Sequence, residues 1–216
     1  MNENNDSKIP AIECRSNGPY IVAGTPKLRN SKSEEISTKK IYALCRCGGS
    51  ANKPFCDGTH SRIGFSGARL KEDEDDGQEK YAGQRITILD NRGICAHSGF
   101  CTDKLSEVFK LGKEPWIDPD GAEAEAIVNA VRECPSGALN YEIDGVERDS
   151  PAQEPMITVS ENGPYRVVGG LDLNDEVTGQ QPRSSAKYSL CRCGQSKNKP
   201  FCDGEHWNVN FQDDKN

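Results

Sequence analysis

Three cysteines and one histidine recur at one spacing, Cys-x-Cys-x8-Cys-x3-His: Cys45, Cys47, Cys56 and His60, then Cys191, Cys193, Cys202 and His206. The sixteen-residue stretches that carry them, CRCGGSANKPFCDGTH and CRCGQSKNKPFCDGEH, differ at three positions. Thiolate and imidazole are metal ligands. Residues i and i+2 of an extended segment project to one side, so the first two sulfurs can reach one metal centre. Residues i and i+4 share a helix face, so the third cysteine and the histidine can reach it together. Pro54 and Asp57-Gly58 stand where a short helix would begin, and its first amides favour the negative charge of a thiolate-bound centre. Two pairs of donors suit one tetrahedral zinc or two irons bridged by sulfides, and the spacing leaves both open.

A second constellation lies between the repeats. Cys95 and Cys101 occur in ICAHSGFC, and Cys134 opens CPSGAL. His97 and Ser98 stand between the first two. Cys14 is the tenth cysteine. Its counterpart in the second repeat is Val159, so an apolar packing role is expected and no ligand role.

The repeat that must position the donors is longer than its cysteine core. Asn-Gly-Pro-Tyr occurs at Asn17–Tyr20 and Asn162–Tyr165, and Tyr-x-Leu-Cys at Tyr42–Cys45 and Tyr188–Cys191. Phenylalanine follows each histidine at the same interval, as Phe65 and Phe211. Each unit should have a strand before and after the Gly-Pro turn, a return strand into the cysteines, and a short helix at the histidine. The middle segment should run strand (Arg85–Leu89), cysteine loop, helix, PWIDPD turn, helix (Ala122–Glu133, with Asp120 and Glu123 placed like a capping box) and final strand (Ala138–Ile143). The expected order is a polar tail 1–11, a first unit 12–68, an acidic linker 69–80, a middle domain 81–148, a linker 149–155 and a second unit 156–212. The fold class is α+β.

Composition agrees with small braced domains. Of 216 residues 34% are hydrophobic and 28% charged, and mean hydropathy is −0.76. Such a chain does not bury one large core. The N-terminus MNENNDSKIP has no apolar signal core, and no apolar run approaches membrane-spanning length, so a cytoplasmic protein with reduced cysteines is expected. A net charge of −7 argues against a nucleic-acid partner.

The repeated stretch closely resembles the CDGSH (NEET-type) iron–sulfur family, through Ser50, Pro54, Cys56, Asp57, Gly58 and His60 and through Ser196, Pro200, Cys202, Asp203, Gly204 and His206. The resemblance implies one 2Fe–2S cluster per unit, with Cys45 and Cys47 on one iron and Cys56 and His60 on the other. Cys191 and Cys193, then Cys202 and His206, would do the same. It also implies a monomer that is an internal pseudo-dimer of two units. Glu205 departs from the family's small residue, and a carboxylate there would raise the basicity of His206. Lys53 and Lys199 are either solvated loop lysines or donors toward the cluster. The middle segment resembles divergent single-cluster ferredoxin-like domains. Three cysteines suit a 3Fe–4S cluster. A 4Fe–4S cluster needs a fourth ligand, for which His97 and Ser98 are candidates.

The resulting expectation is a non-enzymatic protein for one-electron transfer, or for redox-linked cluster storage and transfer, working with a redox partner or a cluster acceptor. No nucleotide-binding glycine loop follows a strand, and no Gly-x-Ser-x-Gly elbow occurs. The competing class is a zinc-braced interaction module, which would be colourless and redox-silent.

Overall fold

A computed structural model describes residues 10–24, 26–71, 77–148, 151–184, 186–214 and 216. Most of the polar tail, the acidic run at 72–76 and the first two residues of the second linker lie outside the described residues. Among the described residues no helix is long and apolar enough to cross a membrane.

The first unit contributes β1 (Ala11–Cys14), β2 (Tyr20–Ala23), β3 (Lys27–Arg29), β4 (Ile41–Leu44) and the one-turn helix α1 (Thr59–Arg62). The middle segment contributes β5 (Glu79–Ala82), β6 (Thr87–Asp90), α2 (Phe100–Lys104), α3 (Ala124–Arg132), β7 (Leu139–Ile143) and β8 (Val146–Arg148). The second unit has β9 (Met156–Val159), β10 (Tyr165–Val168), β11 (Asp172–Asp175), β12 (Lys187–Leu190) and α4 (Glu205–Asn208). The class is α+β, with mixed sheets and few helices.

In both units the Asn-Gly-Pro-Tyr turn joins two antiparallel strands, β1 to β2 and β9 to β10. Asn17 and Asn162 take positive φ, 47° and 45°, which asparagine tolerates better than most residues. Their side chains then accept from the amides of Gly67 and Asp213, tying down the tail that leaves each short helix. The second strand pairs with the one that enters the cysteines, β2 with β4 and β10 with β12.

The remaining strand of each unit crosses over. β3 of the first unit lies parallel to β9 of the second, and β11 of the second lies parallel to β1 of the first. Each four-stranded sheet therefore contains one strand from the other unit: β11-β1-β2-β4 and β12-β10-β9-β3. The core follows the exchange. Ile12, Tyr20, Val22 and Leu28 pack in one cluster with Ile157, Tyr165, Val167 and Leu173. Neither unit closes this core alone.

The middle segment has its own antiparallel sheet, β5-β6-β7-β8, and its own core, where α3 packs Ile127 and Val131 against β7. The expected capping box does not form. Glu123 pairs with Arg85, and Asp120 accepts from the amide of Gln84, so both carboxylates fasten the strand loop instead.

Cys14 is fully buried in the shared core, and burial pushes its thiol up to about 12. Val159 occupies the equivalent place and is equally buried. The change Cys14→Val should leave iron content and visible spectrum unchanged, measured on protein purified without air. The tyrosines are different. Tyr20 Oη donates to the carbonyls of Cys191 (2.9 Å) and Pro200 (3.1 Å), and Tyr165 Oη to those of Cys45 (2.9 Å) and Pro54 (3.0 Å). Removing a buried donor leaves its acceptors unsatisfied, at a cost of about 1–3 kcal/mol. Tyr20→Phe should therefore lower stability by about that much in denaturant unfolding and loosen the cysteine loop of the second unit, not its own. Hydrogen exchange that rose only at the Cys45 loop would contradict this.

Candidate metal centres

Each repeat builds the same loop. β4 and β12 end immediately before the first cysteine, and the bend that follows brings both sulfurs of Cys-Arg-Cys together. Cys45 and Cys47 Sγ lie 3.8 Å apart, as do Cys191 and Cys193 Sγ. The third cysteine and the histidine form the other pair, with Cys56 Sγ 3.4 Å from His60 Nδ1 and Cys202 Sγ 3.4 Å from His206 Nδ1. Among the described residues no three His, Cys, Asp or Glu side chains surround a single metal-ion position. The donors come in twos.

The loop between the pairs is fixed by its own side chains. Ser50 Oγ donates to Phe55 O (2.7 Å) and accepts from the amide of Asn52 (3.0 Å), and Ser196 does the same with Phe201 and Asn198. The Thr59 hydroxyl and the amides of Ala51 and Thr59 hold the Asp57 carboxyl well below the usual range, and Asp203 accepts from the amides of Lys197 and Glu205. Lys53 and Lys199 donate to the carbonyls of Ser50 and Ser196 at 2.8 and 2.6 Å, so they brace the loop and are not merely solvated. Glu205 does not act on its neighbour as expected. It accepts from Asn208, while Asp203 is the carboxylate that supports the His206 charge, and burial outweighs it and pulls the ring below its ordinary value.

The sulfur sites are prepared for negative charge. The amides of Gly49 and Gly58 donate to Cys47 and Cys56 Sγ at 3.4 Å, and that of Gln195 to Cys193 Sγ at 3.5 Å. Burial pushes the Cys45 and Cys202 thiols up, the contact with Cys193 and then burial push Cys191 up, and nearby backbone amides oppose all three. A thiol that resists ionisation in water-excluded surroundings but faces aligned N–H groups suits a metal that displaces its proton. Arginine, which the sequence carries between the first two cysteines both times, completes the setting. Arg46 stacks near Tyr20 and Phe65 and donates to Gly67 O. Arg192 stacks near Tyr165 and Phe211, donates to Gly163 and Ser160 carbonyls, and pairs with Asp213. The equal interval from histidine to phenylalanine thus has a purpose: it supplies the ring for a buried guanidinium.

The two loops stand back to back. A Cβ on Gly48 would lie 2.5 Å from Cys193 O, and one on Gly194 would lie 2.5 Å from Cys47 O, so only glycine admits this approach. Their surroundings differ. Cys202 and His206 are 3% and 5% exposed, whereas Cys56 and His60 are half-buried. The cover over the second pair is the middle domain. The His97 ring rests against Gly204, Trp207 Nε1 donates to His97 O (3.1 Å), and Asn198 Nδ2 donates to Gly93 O (2.7 Å). At Gly58, the position matching Gly204, a Cβ would meet nothing within 4 Å.

Cys95, Cys101 and Cys134 line one cavity of about 340 Å³ together with Asp90, Arg92 and Trp116. Burial pushes the Cys95 and Cys101 thiols up, the latter to about 11, and the charges of the three sulfurs act on one another. His97 N donates to Cys95 Sγ at 3.4 Å, repeating the Gly58–Cys56 arrangement. Cys101 is the second residue of α2 after the left-handed Gly99, as His60 is the second residue of α1 after the left-handed Gly58. Ser98 and His97 both line the cavity; His97 is exposed, and its ring lies against Gly204 of the second unit. Asp90 is buried and its carboxyl is pushed up to about 6 by burial. Arg92 Nε approaches it at 3.0 Å, an ion pair whose alignment falls short of a hydrogen bond. The guanidinium of Arg92 lies 3.6 Å from the Trp116 ring centroid.

A family model described as "Iron-binding zinc finger CDGSH type" matches residues 17–61 and 162–207. One described as "Divergent 4Fe-4S mono-cluster" matches residues 81–144. The chain is also similar to uncharacterized protein YjdI of Escherichia coli (strain K12) and of Escherichia coli O157:H7. Each is 40% identical over 67 residues, covering 31% of this chain and 88% of the relative. The donor pairs of the two repeats and the three-cysteine cavity between them fall inside these matches. The chain belongs to the CDGSH-type iron–sulfur cluster-binding family, with two CDGSH units flanking a divergent 4Fe–4S mono-cluster domain.

Proposed function

We propose that this is a non-enzymatic one-electron carrier holding two 2Fe–2S clusters and a third, 3Fe–4S or 4Fe–4S, in a monomer built as an internal pseudo-dimer. The observation that carries the reading is the pairing of donors: two sulfurs 3.8 Å apart and a sulfur–imidazole pair at 3.4 Å, built identically twice. Cys45 with Cys47 and Cys56 with His60 would hold one cluster, and Cys191 with Cys193 and Cys202 with His206 the second. Cys95, Cys101 and Cys134 would hold the third in a ferredoxin-like domain, with His97 or Ser98 as candidate fourth ligand. Such clusters, when bound, supply one-electron couples whose potentials are set by ligand type, hydrogen bonds to sulfur and solvent exposure.

The protein's part is to hold the sulfurs ionised and to shield the second unit's centre from water more than the first. Retention suits a carrier better than a donor at the second site, since Cys191, Cys202 and His206 are buried. The first unit is where a partner protein, redox or cluster-accepting, would meet the chain. Its Cys56 and His60 are half-buried, and Ile63 beyond α1 is exposed.

Protein purified without air should contain about seven or eight irons per chain with matching acid-labile sulfide. About four irons would mean that the middle site is empty, and tightly bound zinc without sulfide would sink the reading. On exposure to a chelator the first-unit cluster should be lost several-fold faster than the second, because solvent reaches Cys56 and His60. Following the visible signals in Cys56→Ser and Cys202→Ser variants assigns the phases. Equal rates for both would remove the argument from burial.

A further inference from the structure

Arg166 lies within β10, where Tyr165 and Val167 point into the shared core and Arg166 points the other way. Its counterpart in the first unit is Ile21, so the repeat itself does not call for an arginine here. Its guanidinium sits 5.1 Å from the ring centroid of Phe100, the residue before Cys101. With Ala96, Ser98 and Pro135 of the middle domain and His206 and Trp207 of the second unit it lines a cavity of about 330 Å³ between the two. Ala96, Ser98 and Pro135 are each next to, or between, the three middle cysteines, which line the neighbouring cavity.

The side chain is half-buried, and no described residue gives it a carboxylate or carbonyl partner. Glu161, exposed, lines the same cavity without pairing with it. The other arginines at the centres are provided for: Arg46 and Arg192 by carbonyls, Arg192 also by Asp213, and Arg92 by Asp90. A partly desolvated guanidinium that cannot release its proton needs an anion. Burial pulls the Arg166 pKa down, and Cys134 is the group whose charge works in the opposite direction.

We propose that Arg166 is the counter-charge of the middle centre, a cation that the second CDGSH unit lends to the thiolates of Cys95, Cys101 and Cys134. The proposal rests on the reading that these cysteines hold a cluster. It makes the middle site a shared one, completed only where the two domains meet. The Phe100 ring keeps the guanidinium against the cysteine loop. Reduction adds one negative charge at the centre, so a fixed cation beside it favours the reduced form.

The test uses the full chain, loaded without air, with iron and sulfide measured first. Redox titration followed by electron paramagnetic resonance then compares wild type, Arg166→Gln and Arg166→Lys, with the 2Fe–2S signals as internal reference. In Arg166→Gln the midpoint of the middle centre should move to more negative potential while the 2Fe–2S midpoints stay in place, and its loss to a chelator should become several-fold faster. Arg166→Lys should recover most of both. Arg166→Gln should also lower resistance to denaturant in the wild-type background and not in a Cys134→Ser background, where the middle centre is lost and the cation has nothing to pair with. A middle-centre midpoint that does not move, or 2Fe–2S midpoints that move equally, overturns the proposal. So does inorganic phosphate that alters the middle-centre signal in wild type and not in Arg166→Gln, which would make this a pocket for a dissolved anion. Wild type with only the 2Fe–2S iron would overturn the three-cysteine cluster itself, and the counter-charge with it, before any variant is compared.

Discussion

Two phenol groups hold the pair of CDGSH units in register. Each tyrosine is rooted in its own β-sheet, stacks beside its own Cys-Arg-Cys arginine, and places its hydroxyl on the cysteine and proline carbonyls of the opposite loop. Tyr20 and Tyr165 meet edge to face at 6.1 Å in the middle of the shared core. A buried phenol needs an acceptor, and the only way both find one is for the loops to stand back to back. That in turn requires Gly48 and Gly194, whose missing Cβ atoms let the two loops touch. The exchanged strands β3 and β11 add backbone hydrogen bonds to the same join.

A symmetric join does not give equivalent sites. The middle domain leaves the first unit and returns to begin the second, and it lies against the second. Lys187 Nζ donates to Val131 and Arg132 carbonyls, and Ser189 Oγ to Pro135 O, so β12 is fastened to the end of α3. In the first repeat the matching strand positions are Ile41 and Ala43, which can make neither bond, and Ile41 is exposed. Near-identity of the cysteine loops therefore coexists with unequal burial of their ligands. The difference is written in the strand residues outside the motif.

What was legible in the sequence follows from what is local. The pairing of the cysteine and histidine side chains, the turn at Asn-Gly-Pro-Tyr and the helix at each histidine depend on spacing and nearest-neighbour geometry, and the structure has them. The strands β3 and β11 were not legible. They lie in polar stretches that differ between the repeats, and their only signs are the single leucines Leu28 and Leu173, each buried in the shared core. Their partners are more than a hundred residues away, so periodicity within the stretch carries little information. The capping box at Asp120 and Glu123 failed for a related reason. The carboxylates found longer-range partners in Gln84 and Arg85 that a local pattern cannot reveal. Arg166 was invisible for the same cause, since its meaning lies in the domain that it faces.

The charge distribution ties these points together. The chain carries a net charge of −7, and three thiolate-ligated centres would make its interior more negative still. Such a protein needs cations where the centres are. Arg46 and Arg192 are almost wholly buried, each held by carbonyls and rings beside a Cys-x-Cys pair. Arg92 lines the three-cysteine cavity, and Arg166 lines the neighbouring cavity between the middle domain and the second unit. Arginine suits this placement better than lysine, because a planar, weakly hydrated guanidinium loses less on leaving water and can lie on an aromatic face. Net acidic though it is, the chain buries Arg46 and Arg192 beside its sulfur pairs, where low dielectric makes their charge act most strongly on the sulfurs.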